Sequence, residues 1–278
     1  SIIISLLADM SQNDRALFLR SLHRKGNPLV LCNVYDGRTA DIVLSHKGSN
    51  GEYSAKALAT SSFAVAAVHG KPDEELEPEM LAMAAKDIVG VINRHVSARN
   101  NSNPIPLSID MRDGWGDRLE ETITSLIEAG VVGCNLEDED NETGQCMPLP
   151  QAVDRIKRVM AKAAELGVPD FVINARTDVL GHGGTIEEAI SRGKAFMEAG
   201  AFCIFIWGGS HGRGVSKEEG QMCVNAFDGL WNARLKTGPG YLTVKELTDM
   251  GVRRISLGKE LGDIAMEAYR AAVEKVLA

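Results

Sequence analysis

The chain has 278 residues, of which 44% are hydrophobic and 24% are charged, the balance of an ordinary globular protein. This length suits either two small domains or one large α/β barrel. The formal net charge of −8 argues against nucleic acid as a partner, because an acidic surface repels phosphate backbones.

The cysteines and the N-terminal segment indicate the cellular compartment in which the protein is expected. The cysteines are odd in number, widely spaced and without a CxxC pair, which indicates a reducing compartment: Cys32, Cys134, Cys146, Cys203 and Cys223. The apolar segment Ile2–Leu7 is short, lacks a preceding basic region and is followed by Asp9, so a signal peptide is not expected. No apolar run approaches the roughly 20 residues of a membrane span. The sequence predicts a cytoplasmic protein without a membrane partner; an organelle matrix is the alternative.

An apolar run followed by an amphipathic stretch repeats along the whole chain. The predicted strands are Pro28–Asp36, Ala57–Phe63, Ile105–Arg112, Val131–Asp138, Phe171–Thr177, Phe202–Trp207, Leu230–Ala233 and Arg254–Leu257. Several are almost continuously hydrophobic, as parallel strands buried on both faces are. Eight strand–helix units without a linker predict a single domain over residues 1–278, a (β/α)8 TIM barrel. A doubly wound sheet is disfavoured, because Asp36-Gly37-Arg38 stands where its glycine-rich turn would follow the first strand.

Helix boundaries are marked by capping residues. Three pairs fit a capping box: Thr185 with Glu188, Ser216 with Glu219 and Thr243 with Glu246. Five glycines stand where a left-handed residue would end a helix: Gly26, Gly130, Gly167, Gly200 and Gly251. In the predicted helix Glu79–Val96, the helical spacing of Met80, Met83, Ala84, Ile88 and Ile92 predicts a core-facing stripe.

Polar residues end most of the predicted strands. In chain order they are Asp36, Ser61, Ser62, Asp110, Asp113, Glu137, Asp138, Arg176, Asp178 and Asn232, and Trp207 ends the sixth strand. Barrel enzymes carry their active sites at the carboxyl ends of the strands, so these side chains are expected to converge on one mouth. Carboxylate oxygens around an open site suit Mg²⁺ or Mn²⁺ better than zinc.

Five motifs in order resemble the isocitrate lyase/phosphoenolpyruvate mutase superfamily. They are Asn33–Ala40, Ala57–Phe63 running on to Gly70–Asp73, Ile109–Asp117, Gly133–Asp138 and Phe171–Asp178. The resemblance covers most of the chain. It implies a TIM barrel and Mg²⁺-assisted enolate chemistry on a small anionic 2-oxo acid.

The resemblance also implies roles for individual residues. Asp110 would bind Mg²⁺ directly, and Glu137 and Asp73 would hold metal-bound waters. Arg176 would pair with the substrate, since a planar guanidinium can meet a carboxylate bidentately. Asp110, Arg176 and Ser61 are thus the expected catalytic residues.

Other strand-end residues would contact the substrate. Ser61, Ser62 and Phe63 would offer hydroxyl and backbone N–H groups to its carboxylate and to the developing enolate oxygen. Asn232 and Trp207, which end two further strands, are also expected to contact substrate, with Trp207 roofing the mouth.

Two segments depart from the superfamily pattern. Arg112 occupies a position where many members carry an acid, and it either points away into a salt bridge or adds a substrate contact. The segment Glu139–Met147 matches neither the Lys-Lys-Cys-Gly-His loop of the lyases nor the Lys-bearing loop of the mutases. Cys146 in this segment has no adjacent basic residue to lower its pKa, so it lacks the setting of a catalytic acid.

These departures favour one reaction over the others. A Mg²⁺-dependent carbon–carbon lyase acting on a 2-oxo dicarboxylate is predicted, with decarboxylation of oxaloacetate or an analogue as the leading form, because CO₂ release needs no acid at that position. The alternatives are a methylisocitrate-type retro-aldol lyase, an oxaloacetate-type hydrolase, a C–P bond enzyme and a non-catalytic barrel with a binding role.

Two further segments leave alternatives open. The glycine-rich Gly208–Gly214 is either a lid that brings His211 or Arg213 to the site or an ordinary exposed loop. Around Leu261–Leu277, the apolar stripe of Ile264, Ala268, Ala271 and Ala272 fits packing on its own barrel. By family analogy it fits equally a helix swapped between the subunits of a homotetramer.

Overall fold

The computed structural model of the protein describes residues 10–99, 103–209 and 214–278. Its strands are β1 (Leu29–Leu31), β2 (Asn33–Val34), β3 (Leu58–Thr60), β4 (Leu107–Asp110), β5 (Gly133–Glu137), β6 (Glu139–Asp140), β7 (Gln145–Cys146), β8 (Val172–Thr177), β9 (Cys203–Ile206), β10 (Asn232–Arg234) and β11 (Arg254–Ser256). All pair in parallel except β6 and β7, which form a short antiparallel hairpin.

The parallel strands form a closed barrel. One run of pairing follows the order β2-β3-β4-β5-β8-β9, and the other follows β10-β11-β1. A parallel bridge between Ile204 and Trp231 joins β9 to the approach to β10, and β1 and β2 are two segments of one strand interrupted at Cys32. Eight strands therefore close into a ring, and the predicted (β/α)8 barrel is confirmed.

The helices follow the strands around the outside of the barrel. They are α1 (Gln12–Ser21), α2 (Gly37–Ser45), α3 (Ser62–Val68), α4 (Pro78–Arg99), α5 (Leu119–Glu128), α6 (Leu149–Glu165), α7 (Ile186–Glu198), α8 (Lys217–Ala226), α9 (Val244–Met250) and α10 (Glu260–Leu277), with 3₁₀ turns at Asp73–Glu75 and Gly116–Arg118. Within the described ranges, no helix combines the length and the apolar character needed to cross a bilayer.

The predicted helix ends are largely confirmed. The boxes Ser216/Glu219 and Thr243/Glu246 are reciprocal, whereas Thr185 accepts from the Glu188 amide without the return bond. All five predicted C-cap glycines are left-handed, with φ between 74° and 114°.

Several predicted element assignments are wrong. The strand predicted over Ala57–Phe63 ends at Thr60, because Ser61 caps α3 and Ser62 begins it. The seventh strand starts at Asn232 rather than ending near it. Met83 is 63% exposed on α4 and does not join the core stripe, although Ile88 and Ile92 do. For the stripe of α10, the sequence left two packing partners open, and the helix buries none of its residues against its own barrel.

Asn33 links the first strand to both of its neighbours. Its Nδ2 donates to the Thr60 carbonyl at 2.7 Å, and its Oδ1 accepts from the amides of Leu257 (3.0 Å) and Gly258 (2.8 Å). The interruption at Cys32 leaves the strand only short ladders on each side. The buried Asn33 amide therefore supplies hydrogen bonds where the barrel closes.

Replacing Asn33 with Ala should lower the free energy of unfolding by about 2–4 kcal/mol, because two buried backbone groups and one part-buried group lose their partner. Urea denaturation measures this change, with Asn225→Ala on the exposed face of α8 as the control. A loss no larger than that of the control would show that the backbone ladder alone closes the barrel.

Candidate active site

The alternation of side chains along the strands builds two polar layers inside the barrel. In the lower layer, Asn174 donates to Asn135 at 2.8 Å, and Arg254 Nη2 reaches Ser108 Oγ at 3.5 Å. Side chains two residues further along a strand point to the same face. The upper layer at the mouth therefore holds Asp110, Glu137, Arg176 and Arg234.

Asp110 is oriented by the second barrel strand and by α3. Its amide donates to Thr60 Oγ1 at 2.9 Å, and its Oδ2 accepts from the Ser62 amide at 3.1 Å. The Ser62 hydroxyl donates to Asp73 Oδ2 at 3.3 Å. Ser62 thus differs from its predicted role, because both of its donors hold acidic residues of the site rather than facing a substrate.

A turn after β4 brings Asp73 to the mouth. Gly114, Trp115 and Gly116 all have positive φ, and Trp115 Nε1 donates to the Leu76 carbonyl at 3.0 Å. A Cβ at Gly114 would lie 2.4 Å from the Leu119 side chain, so only glycine fits there. The turn therefore ties the loop that carries Asp73 to the strand that carries Asp110.

Arg176 lies at the centre of an ion-pair cluster. Its Nη1 is 2.6 Å from Glu137 Oε2, and its Nε and Nη2 contact Asp178 Oδ2 at 2.9 Å and Oδ1 at 2.6 Å. The Trp207 ring covers the guanidinium, whose carbon is 4.1 Å from the ring centroid. These contacts hold the guanidinium of Arg176 in one orientation.

Arg112 points into the site. It is buried, adopts a left-handed φ of 48°, and places Nε 3.8 Å from Asp73 Oδ2. Its Nη2 donates to Asn141 Oδ1 in the loop of the β6–β7 hairpin. Arg112 therefore forms a salt bridge, as one of the two interpretations held, but with a carboxylate of the candidate metal site.

The cluster carries more acid than its two arginines neutralise. Burial and repulsion from Asp110 raise the pKa of Asp73 despite the nearby Arg112. Burial, reinforced by Asp178 and Asp110, raises the pKa of Glu137 well above its usual range, although Arg176 opposes this. Burial also raises the pKa of Asp178 to about 6. A further cation at the mouth would stabilise the ionised carboxylates.

The donor set fits a hard divalent cation. All the donors are carboxylate oxygens, and Asp73 Oδ1 is buried without a hydrogen-bond partner. Within the described ranges, no three His, Cys, Asp or Glu side chains are grouped closely enough to hold one ion together.

Other carboxylates at the strand ends are structural. Asp138 accepts from the Asp178 amide at 2.9 Å and from Arg192 Nε at 2.7 Å. Asp36 caps α2 through Thr39, and Asp113 accepts from the amides of Trp115 and Asn141.

Cys146 lies beside this buried framework, with Sγ 3.9 Å from Asp138 Oδ1. Burial and the neighbouring Asp138 raise the pKa of the thiol to about 12. A thiol in this setting is a poor source of thiolate, as its sequence context predicted.

The residues predicted to contact the substrate do not all lie at the barrel mouth. Asn232 is fully buried in the lower layer, where its amide donates to Ser256 Oγ (2.8 Å) and accepts from Arg254 Nε (3.1 Å). The sequence placed Asn232 at the end of its strand, but the strand continues to Arg234. Its contact with the substrate stays a prediction. Sequence reasoning missed Arg234; the two-residue register from Asn232 was the signal that could have found it.

The remaining predicted contacts lie around the mouth. Ser61 is buried at the N-cap of α3 without a side-chain capping bond. Phe63 is 41% exposed, with the Lys259 ammonium 4.1 Å from its ring centroid. His211 and Arg213 of the glycine-rich loop lie outside the described residues.

Comparison with known proteins shows consistent likenesses in sequence and in structure. Over 200 residues, 68% of the chain, it is 33% identical to the chloroplastic carboxyvinyl-carboxyphosphonate phosphorylmutase of Arabidopsis thaliana, of which the match spans only 53%. A Burkholderia cenocepacia J2315 protein provisionally assigned as a phosphonomutase superposes with a TM-score of 0.80 and 31% identity, over 95% of this chain and 99% of that one. An oxaloacetate acetylhydrolase bound to its product oxalate superposes with a TM-score of 0.77 and 25% identity, over 96% and 88% of the two chains.

Matching proteins have diverse activities. They include the 2-methylisocitrate lyase of Escherichia coli and the 2,3-dimethylmalate lyase of Eubacterium barkeri, both enzymes that act on small organic acids. The family model for phosphoenolpyruvate phosphomutase matches residues 19–277, nearly the whole chain. This protein therefore belongs to the phosphoenolpyruvate phosphomutase family, within the isocitrate lyase/phosphoenolpyruvate mutase superfamily.

Proposed function

We propose that this protein is a Mg²⁺-dependent carbon–carbon lyase that acts on a small 2-oxo dicarboxylate, with oxaloacetate-type decarboxylation as its leading reaction. The observation that carries the proposal is the ring of Asp110, Glu137 and Arg176 at the barrel mouth. The ring combines carboxylates with the guanidinium of Arg176, which Glu137 and Asp178 hold in place. Mn²⁺ is the alternative metal.

The residues of the chain have distinct tasks in this reaction. Asp110, aligned by the Ser62 amide, would hold the metal directly, and Glu137 and Asp73 would hold its waters. When bound, Mg²⁺ would act as a Lewis acid toward the carboxylate and keto oxygens of a 2-oxo acid. Arg176, fixed by Asp178 and covered by Trp207, would orient the substrate carboxylate through N–H groups of its guanidinium.

The surroundings of Cys146 favour decarboxylation over retro-aldol cleavage. In decarboxylation the electrons of the broken C–C bond pass to the keto oxygen, CO₂ leaves, and solvent protonates the enolate carbon. A retro-aldol lyase needs a protein acid near the departing fragment. Cys146 lies against Asp138 with a raised pKa, a setting that favours neither a thiolate nor rapid proton exchange.

A carbon–carbon hydrolase is the second candidate. The structural likeness to an oxaloacetate acetylhydrolase bound to oxalate supports it. The two reactions share a substrate class and differ in their products. Decarboxylation of oxaloacetate gives pyruvate and CO₂, whereas hydrolysis gives oxalate and acetate.

Calorimetric titration should show oxalate, a mimic of the pyruvate enolate, binding only when Mg²⁺ is present. Loss of a residue that supports a metal ligand lowers metal affinity roughly 10- to 100-fold. Asp110→Ala removes the proposed ligand itself, so it should weaken oxalate binding by at least that factor. Asp117→Ala, a matched change at an exposed position on the same strand–helix connection, should leave it unchanged. Equal oxalate affinity with and without metal would contradict the site assignment.

NMR should show that the parent protein with Mg²⁺ forms pyruvate from oxaloacetate faster than Asp110→Ala protein with Mg²⁺ does. Cys146→Ser should keep kcat/KM within about 3-fold of the parent, because general acid catalysis, worth roughly 100-fold or more, is not supplied by this thiol. A loss of 100-fold in that variant would favour the retro-aldol alternative, and oxalate with acetate as products would favour the hydrolase.

We also propose that the chain assembles through α10. The helix buries none of its residues, and Ile264, Tyr269 and Val276 are 46%, 69% and 82% exposed. Such an apolar helix is characteristic of an interface, and packing it on the barrel of a second subunit would cover it. A homotetramer is the assembly that the superfamily resemblance favours.

Multi-angle light scattering should find the parent protein larger than its 29.9 kDa monomer. Ile264→Glu combined with Ala268→Glu should reduce the mass, because two charges would be buried in the interface. Glu274→Gln on the same helix is the control. A monomeric parent protein would contradict the proposed assembly.

A further inference from the structure

Arg234 is a fourth member of the upper layer at the barrel mouth. It is the last residue of β10 and lies two residues after Asn232, whose side chain contacts Arg254 inside the barrel. The strand alternation therefore directs Arg234 to the same interior face, one layer higher. Asp110 and Arg176 occupy equivalent places at the ends of their strands.

The guanidinium of Arg234 has no protein partner in the described part of the chain. Its Nε is buried without a hydrogen bond, and no carboxylate there forms an ion pair with it. The other described arginines that carry an unpartnered buried nitrogen each donate elsewhere: Arg99 to the Leu44 carbonyl, Arg112 to Asn141, Arg155 to the Glu137 carbonyl, Arg253 to Asp228 and Arg254 to Asn232. Arg234 differs from them in being left unpaired.

Described residues next to Arg234 lie close to it without pairing with it. Gly258 has φ of 63°, and a Cβ placed there would lie 3.7 Å from Arg234 Nε. Glu260, a nearby acid, accepts hydrogen bonds from the amide (3.0 Å) and hydroxyl (2.9 Å) of Thr237. Burial and the positive charge of Arg176 lower the pKa of Arg234, whereas the carboxylate of Glu260 opposes this shift. An anion bound near the two guanidiniums would therefore stabilise the charged form of Arg234.

We propose that Arg234 binds the second carboxylate of the substrate, the one remote from the 2-oxo acid group, and thereby selects dicarboxylates over monocarboxylates. This inference rests on the proposed function of the same site. An unpaired, partly buried guanidinium can form charge-assisted hydrogen bonds with a carboxylate. Arg176 and the metal-site carboxylates would hold the 2-oxo acid end, and Arg234 would hold the other end from across the mouth.

Two ligands separate the two ends of the substrate. Oxalate is too short to carry a remote carboxylate, whereas 3,3-difluorooxaloacetate, an inhibitor of the structurally similar oxaloacetate acetylhydrolase, carries one. With Mg²⁺ present, Arg234→Gln should lower the affinity for difluorooxaloacetate about 10- to 100-fold and change the affinity for oxalate by less than about 2-fold. The affinity of Arg234→Lys for difluorooxaloacetate should lie between those of the parent and Arg234→Gln, since lysine keeps the charge but not the bidentate guanidinium.

Arg24→Gln, an exposed arginine at the opposite end of the barrel, is the matched control and should alter neither affinity. Unchanged difluorooxaloacetate affinity in Arg234→Gln, or an equal loss for both ligands, would overturn the inference alone. Failure of the parent protein to bind oxalate with Mg²⁺ would overturn the proposed function and this inference together.

Discussion

The two-residue repeat of a β-strand, imposed on a closed ring of parallel strands, organises the whole site. Each strand that ends in a polar residue places that residue on the interior face, one layer above the residue two positions earlier. Asp110, Glu137, Arg176 and Arg234 come from four different strands and meet at one mouth for this reason. A shift of one residue in any strand would move its member out of the barrel.

Charge balance explains the connections around that ring. Buried carboxylates are costly unless they are paired, and Arg176 pairs with two of them while Arg112 approaches a third. The pKa of Glu137 and of Asp73 nevertheless remains raised, so the site favours an added cation. Arg234, also at the mouth, forms no ion pair with a carboxylate of the described residues. These two charge patterns support the proposal that the site binds a metal and a dicarboxylate substrate.

Local signals in the sequence predicted most of the fold. Continuous apolar runs marked the strands, and caps such as Ser216 and Thr243 marked helix starts, because each depends on residues close together in the chain. The errors arose where a local pattern has two outcomes. Ser62 extends an apolar run and yet begins a helix, and Met83 follows helical spacing on a face that nothing covers.

The sequence by itself determined the eightfold alternation, the oxygen-rich set of strand-end residues and the absence of a basic neighbour for Cys146. Only the tertiary structure decided which of those residues serve the site. Asp138 and Asp178 have similar positions at strand ends, but one is bound by Arg192 within the framework and the other holds Arg176 in place. Asp138 and Arg192 are 54 positions apart, so their pairing depends on packing between elements, whereas Asp178 holds a residue only two positions away on its own strand.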